Sequence, residues 1–207
     1  MKENLTEIVA ILDKSGSMQS LTDDTIGGYN EFIDNQKQLP GEAVLTTVFF
    51  NNDYHLIHNS EDIKNVKPIT RTDYSAGGNT ALLDALGKAI NDIGLKLYNT
   101  PDENKPGKVI FFIITDGEEN SSKEFSNEKI KEMVEHQKNT YNWEFIFLGA
   151  NIDAFSAADA IGIGHDKAFN YSAENIRYAH NAISEAVENY RRHGDVEKGK
   201  DFRKKIK

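Results

Sequence analysis

Three apolar runs without alternation punctuate the chain: Ile8-Val9-Ala10-Ile11-Leu12, Val109 to Ile114, and Trp143 to Leu148. A run with no polar side predicts a strand covered on both faces, as in a parallel sheet. Between the runs the period changes to that of a helix. Met18, Leu21, Thr25, Tyr29, Phe32, Ile33 and Gln36 fall close to one helical face, and Pro40-Gly41 ends that segment. Ala43 to Phe50, a turn at Asn51-Asn52-Asp53, and Tyr54 to His58 predict a hairpin whose second strand is an antiparallel sheet edge. Residues 59 to 79 are irregular and polar. Helices are predicted at about Ala81 to Tyr98, Asn127 to Asn139, Ala154 to Ile161 and Ala173 to Arg192, with a sixth strand at Lys167 to Tyr171. Strands alternating with helices imply an α/β fold. The expectation is a doubly wound, mostly parallel six-stranded sheet with one antiparallel edge strand and helices on both faces. With no repeat and no long linker, residues 1–192 read as one domain and 193–207 as a basic tail.

Composition narrows the classes. A chain of 207 residues with 38% hydrophobic content can build a core. It has no stretch of the roughly 20 apolar residues that a membrane span needs, so no membrane is expected. Met1 to Glu7 contains no apolar run after a basic one, so no secretory signal is read there and the expected compartment is the cytoplasm. The absence of cysteine removes disulfides and thiolate metal sites. The net charge of -9 argues against nucleic-acid binding. From Arg191 to Lys207 there are eight basic and three acidic residues, net +5, which leaves -14 on the rest. The basic end reads as a solvated tail.

The candidate chemistry sits where strands end. Asp13-x-Ser15-x-Ser17 offers a carboxylate and two hydroxyls at a strand-to-helix turn. Thr80 adds a hydroxyl after Gly77-Gly78-Asn79, and Asp116 a second carboxylate after the Val109–Ile114 run. In doubly wound sheets ligands bind at the carboxyl ends of strands where strand order reverses, and Asp13 and Asp116 are the natural pair to flank that crevice. All five donors are hard oxygens, which suit Mg²⁺. Gly16, Gly77 and Gly78 allow close backbone approach.

Asp13-Lys14-Ser15-Gly16-Ser17-Met18, Gly78-Asn79-Thr80-Ala81-Leu82 and Ile114-Thr115-Asp116-Gly117 resemble, in this order, the three loops of the metal-ion-dependent adhesion site of von Willebrand factor A domains. The resemblance covers about residues 6 to 192. Ile26 to Phe32 and Trp143 to Asp153 resemble, in addition, a group of bacterial stand-alone domains of this type. The resemblance implies that Ser15, Ser17 and Thr80 hold Mg²⁺ (or Mn²⁺) by hydroxyl oxygens and that Asp13 and Asp116 act directly or through water. A protein partner would supply an Asp or Glu carboxylate. Gly78, Asn79, Gly117 and Glu118 would form the partner-binding rim. Asn79 stands where many relatives have glycine directly before threonine.

This chemistry is binding; no bond is broken and no enzyme is expected. Two alternatives are a metal-free scaffold, in which Ser15 and Ser17 only cap the following helix, and a Mg²⁺-dependent phosphohydrolase of the haloacid dehalogenase type. The latter needs a second Asp two residues after the first, and that position is Ser15. P-loop and nucleophile-elbow motifs are absent. Glu118, Glu119, Asp23, Asp24 and Asp73 are read as solvated rim charges. His55 and His58, three apart on a strand, point to opposite faces and make a poor metal pair. The other four histidines and Trp143 are read as surface or core.

Overall fold

The computed structural model describes residues 1–150, 152–171 and 176–198. Six strands form one sheet: β1 (Lys2–Asp13), β2 (Glu42–Phe50), β3 (Tyr54–Asp62), β4 (Pro106–Thr115), β5 (Glu144–Ala150) and β6 (Ala168–Tyr171). Their order is β3-β2-β1-β4-β5-β6. β2 and β3 pair antiparallel, and every other neighbouring pair is parallel. The five α-helices among the described residues are α1 (Thr22–Lys37), α2 (Leu82–Asn99), α3 (Asn127–Tyr141), α4 (Ala154–Ala160) and α5 (Ile176–His193).

The continuous apolar runs resolve into two cores of opposite parity, as successive strand side chains must. Ile8, Ala10, Leu12, Ile110, Phe112 and Ile114 face α1 and α5. Val9, Ile11, Val109, Phe111 and Ile113 face α2, α3 and α4. A strand buried on both faces cannot alternate in sequence, which is why these read as solid apolar blocks. After β1 the chain builds outward through β2 and β3, then returns through α2 to place β4 on the other flank of β1. Strand order reverses between β1 and β4, and both strands deliver a carboxylate loop to that crevice.

Several elements differ from the sequence expectation; β1, for one, begins at Lys2 rather than Ile8. The segment Gly16–Leu21 is a 3₁₀ helix, and α1 begins only at Thr22. β3 continues to Asp62, past the expected end at His58. It does so through a bulge at Ser60, whose φ is +46°. The Ser60 amide donates to Thr46 Oγ1 at 3.0 Å and its hydroxyl to the buried Glu7 carboxylate at 2.8 Å, which holds that turn. The expected start of the last helix, at 173–175, lies outside the described residues, as does the tail from 199 onward. Beyond α5, Val196 is buried and its carbonyl accepts from Asn189 Nδ2 at 2.9 Å. No helix among the described residues is long and apolar enough to cross a membrane.

Candidate metal centre

Asp13 is the last residue of β1 and is fully buried. Its Oδ1 accepts from the Ser15 amide at 2.6 Å and its Oδ2 from Thr115 Oγ1, at the end of β4, also at 2.6 Å. The Tyr74 hydroxyl donates to the Asp13 carbonyl. Burial pushes the Asp13 carboxyl up to about 6. The hydrogen bonds from Thr115 and Ser15 pull against that rise, and the nearby Asp116 charge adds to it. Asp116 is likewise raised by burial, against the hydrogen bond from Ser17.

Ser15 and Ser17 close the first loop onto the second carboxylate. Their hydroxyl oxygens stand 3.1 Å apart, and Ser17 Oγ donates to Asp116 Oδ1 at 2.6 Å. Ser15 precedes the 3₁₀ turn, but its side chain makes no capping hydrogen bond there. The capping alternative therefore does not describe what this hydroxyl does.

Thr80 comes from the long connection between β3 and α2, and polar contacts from four other segments fix it. Gly16 N donates to Gly78 O at 2.9 Å and Gly77 N to Lys14 O at 2.8 Å, stapling the glycine loop to the first loop. Gly78 has φ +85°, and a Cβ there would stand 2.5 Å from Asn52 Oδ1, so only glycine fits. Asn51 Nδ2 donates to Gly77 O at 2.7 Å, and the Asn79 amide to Asn52 Oδ1 at 2.9 Å. The Thr80 amide donates to Asn120 Oδ1 and the Asn120 amide returns to Thr80 O, both at 3.0 Å. Asn79 itself is exposed, so the residue that departs from the family pattern turns outward while its backbone is held. Tyr74 reaches Asp13 because Asn30 of α1 pins the incoming loop through both the amide and the carbonyl of Ile69.

The five expected donors thus share one small site. Thr80 is buried, and its hydroxyl has no hydrogen-bond partner among the described residues. Gly117 lies against it: a Cβ at 117 would stand 2.8 Å from Thr80 Oγ1 and 3.6 Å from Ser17 Oγ. The missing side chain leaves open the space beside these hydroxyls. Among the described residues no Lys, Arg or His forms an ion pair with Asp13 or Asp116. Nor does any His, Lys or Arg there hydrogen-bond to the three hydroxyls in the manner of a base activating a nucleophile. Two carboxylates, three hydroxyls and no cation fit a hard divalent ion with part of its shell left to water or a ligand.

Of the expected rim, Gly78, Asn79 and Glu118 are exposed and Gly117 is half-buried. Asp23 pairs with Arg71, and Asp73 accepts from Thr70. Glu119 is not a free rim charge: it accepts from the amides of Leu83, Ser121 and Ser122, and so ties the Asp116 loop to the start of α2. The residues that sequence reading missed are Thr115, Asn120, Asn51, Asn52 and Tyr74. Thr115, directly before Asp116, is the one whose position signals a role. His58 is buried beside Tyr29 and Thr47, and His180 is a core residue with both ring nitrogens unpartnered.

No family model matches the sequence, and no curated protein sequence matches it. Solved structures do. The chain is similar to the vWF domain of a type V pili tip protein from Porphyromonas gingivalis, with 11% identity, 94% of this chain, 97% of that one and a TM-score of 0.64. It is similar to a pilus adhesin from Lactobacillus rhamnosus GG in an open conformation, with 13% identity, 91% of this chain, 30% of that one and a TM-score of 0.65. It is also similar to proximal thread matrix protein 1 of the mussel byssus, described with a zinc-occupied metal-ion-dependent adhesion site. There the identity is 15%, over 89% of this chain and 46% of that one, with a TM-score of 0.58. The chain spans less than half the length of the mussel protein and of the Sulfolobus acidocaldarius and Catenulispora acidiphila structures it matches alongside it. These likenesses establish the fold.

Proposed function

Starting from the von Willebrand factor A fold that this chain carries, we propose that it is a divalent-metal-dependent protein-binding domain. Asp13, Ser15, Ser17, Thr80 and Asp116 hold one Mg²⁺ or Mn²⁺, and an Asp or Glu of a partner protein completes the coordination. The observation that carries this reading is the meeting of two carboxylates and three hydroxyls at the β1/β4 switch point, with no Lys, Arg or His among the described residues in an ion pair with either carboxylate.

Each residue has a defined part. Thr115 and the Ser15 amide fix the two oxygens of Asp13. Ser17 orients Asp116. Asn120 sets the backbone of Thr80 and so the aim of its hydroxyl. Gly117 leaves the approach open. Three of the five ligands are neutral, so a bound divalent ion keeps an electropositive centre for an incoming carboxylate. In a partly dry cleft that attraction exceeds its value in bulk water. The all-oxygen donor set suits Mg²⁺ or Mn²⁺ better than Zn²⁺, which favours His and Cys. The zinc described for the mussel protein makes Zn²⁺ the competitor to include in any titration.

The test is retention of a partner on the immobilised protein in Mg²⁺ and its release by EDTA, with cytoplasmic extract as the source, since that is the compartment expected from the sequence. Thr80→Ala is expected to abolish retention with little effect on folding. Replacing the partner's acidic residues one at a time is expected to identify a single essential carboxylate. Binding that survives EDTA and every replacement contradicts the reading. Turnover of p-nitrophenyl phosphate with Mg²⁺ would favour the phosphohydrolase instead; Ser15 at the second-carboxylate position argues for none.

A further inference from the structure

Next to the candidate metal centre a cleft of about 290 Å³ extends from Gly117 and Glu118 to Ile152, Ala157 and Ile161, with Leu83 in its lining. Its remaining polar groups are largely engaged within the protein. The Glu119 carboxylate is filled by the amides of Leu83, Ser121 and Ser122 and the Ser122 hydroxyl. The Asp153 carboxylate accepts from the Phe155 and Ser156 amides and the Ser156 hydroxyl. What the cleft offers a ligand is therefore mainly aliphatic surface. It adjoins the candidate metal centre at Gly117, which lines the cleft and also abuts the hydroxyls of Thr80 and Ser17.

We infer that this cleft seats a leucine, methionine or phenylalanine side chain of the partner, two positions along an extended segment from the carboxylate that completes the metal centre. The inference rests on the metal-mediated reading above. In an extended segment, side chains two apart point to the same face, about 7 Å from one another. One can enter the metal centre while the other crosses Gly117 into the cleft. Glu118, exposed at the mouth and in no ion pair among the described residues, disfavours a second acid nearby. The partner motif is thus one acid, one spacer and one large apolar residue.

A random-peptide phage library panned on the full chain in Mg²⁺ and eluted with EDTA tests this. Enriched peptides are expected to carry that spacing, and replacing their apolar residue by Ser to weaken binding about tenfold or more. Ala157→Arg, or Ala160→Trp at an exposed position should the first variant fold poorly, fills the cleft. Either is expected to weaken the peptide about as much while leaving the Mg²⁺-induced rise in melting temperature intact. EDTA-sensitive acidic peptides with no apolar preference, indifferent to both variants, overturn the inference and leave the metal reading standing. No EDTA-sensitive peptide together with no Mg²⁺-induced melting shift overturns both.

Discussion

Two buried carboxylates lie six residues apart on β1, and the protein treats them in opposite ways. Glu7 is fully buried, and the fold supplies everything it needs: Lys96 Nζ at 2.7 Å, Thr46 Oγ1 at 2.8 Å and Ser60 Oγ at 2.8 Å. Asp13 is as deeply buried and receives hydrogen bonds, but its charged neighbour is another carboxylate, Asp116. A buried charge is costly unless paired. Where the pairing is internal, the residue holds the structure. Where no internal cation is supplied, as at Asp13, the proposed function has a bound metal ion take that place.

The comparison is sharpened first at Glu7. Lys96→Met leaves that carboxylate buried without its cation and is expected to cost about 3 kcal/mol in urea unfolding, low in the range for broken buried pairs because the Lys96 side chain is 37% exposed. The stabilisation given by Mg²⁺ is expected to be unchanged. A loss below about half a kcal/mol, comparable to a surface pair, would mean that Glu7 is not held by this pairing.

A second buried group tests whether burial alone, without a ligand, shows up as pH dependence. His180 on α5 packs against Gly28 of α1 with both ring nitrogens unpartnered, and burial lowers it to about 4. Its folded value lies below the unfolded value of 6.5, so its contribution to stability is present above 6.5 and lost as pH falls toward about 4. Between pH 6.5 and about 5 the loss is expected to be about 2 kcal/mol. It is best measured in the Asp13→Asn background in EDTA, where the opposing titration of Asp13 is gone. His180→Leu is expected to flatten that slope, and an unchanged slope would assign it elsewhere.

At Asp13 the expected sign is reversed relative to Glu7. In EDTA at pH 7, Asp13→Asn removes an uncompensated buried charge and is expected to stabilise the fold by about 1 kcal/mol, since the lost charge-assisted hydrogen bonds offset part of the gain. The same variant is expected to lose the Mg²⁺-induced stabilisation, which for the unaltered chain is about 2.7 kcal/mol at a hundredfold excess over Kd. Destabilisation in EDTA together with a retained Mg²⁺ effect would make Asp13 a structural acid like Glu7. The smallest effect belongs to Asn120→Ala: about 0.5–1 kcal/mol in stability and about tenfold in Mg²⁺ affinity, by loss of the bond to the Thr80 amide.

The pattern of apolar runs carried most of this fold because both faces of the central strands are buried, and a buried parallel strand advertises itself as an uninterrupted block. The candidate donors were legible for a related reason: Asp13, Ser15, Ser17 and Asp116 sit within a few residues of those blocks. The rest depended on contacts between distant segments. The Thr80 loop is aimed by Asn51, Asn52 and Asn120, which lie far from it in sequence and look like ordinary turn residues. The 3₁₀ geometry of Gly16–Leu21 accompanies two staples between the first loop and the Gly77–Gly78 segment. The extension of β3 past His58 depends on Glu7 and Thr46 holding the bulge at Ser60, a three-way contact with no local signature.

The most direct measurement is anomalous diffraction from crystals of the unaltered chain soaked in millimolar Mn²⁺. The account predicts one strong peak bounded by the side chains of Asp13, Ser15, Ser17, Thr80 and Asp116, lost in Asp13→Asn crystals that otherwise superpose. No peak at that position, or one that survives the substitution unchanged, would contradict the claim that β1 withholds a partner from Asp13 in order to bind a metal there.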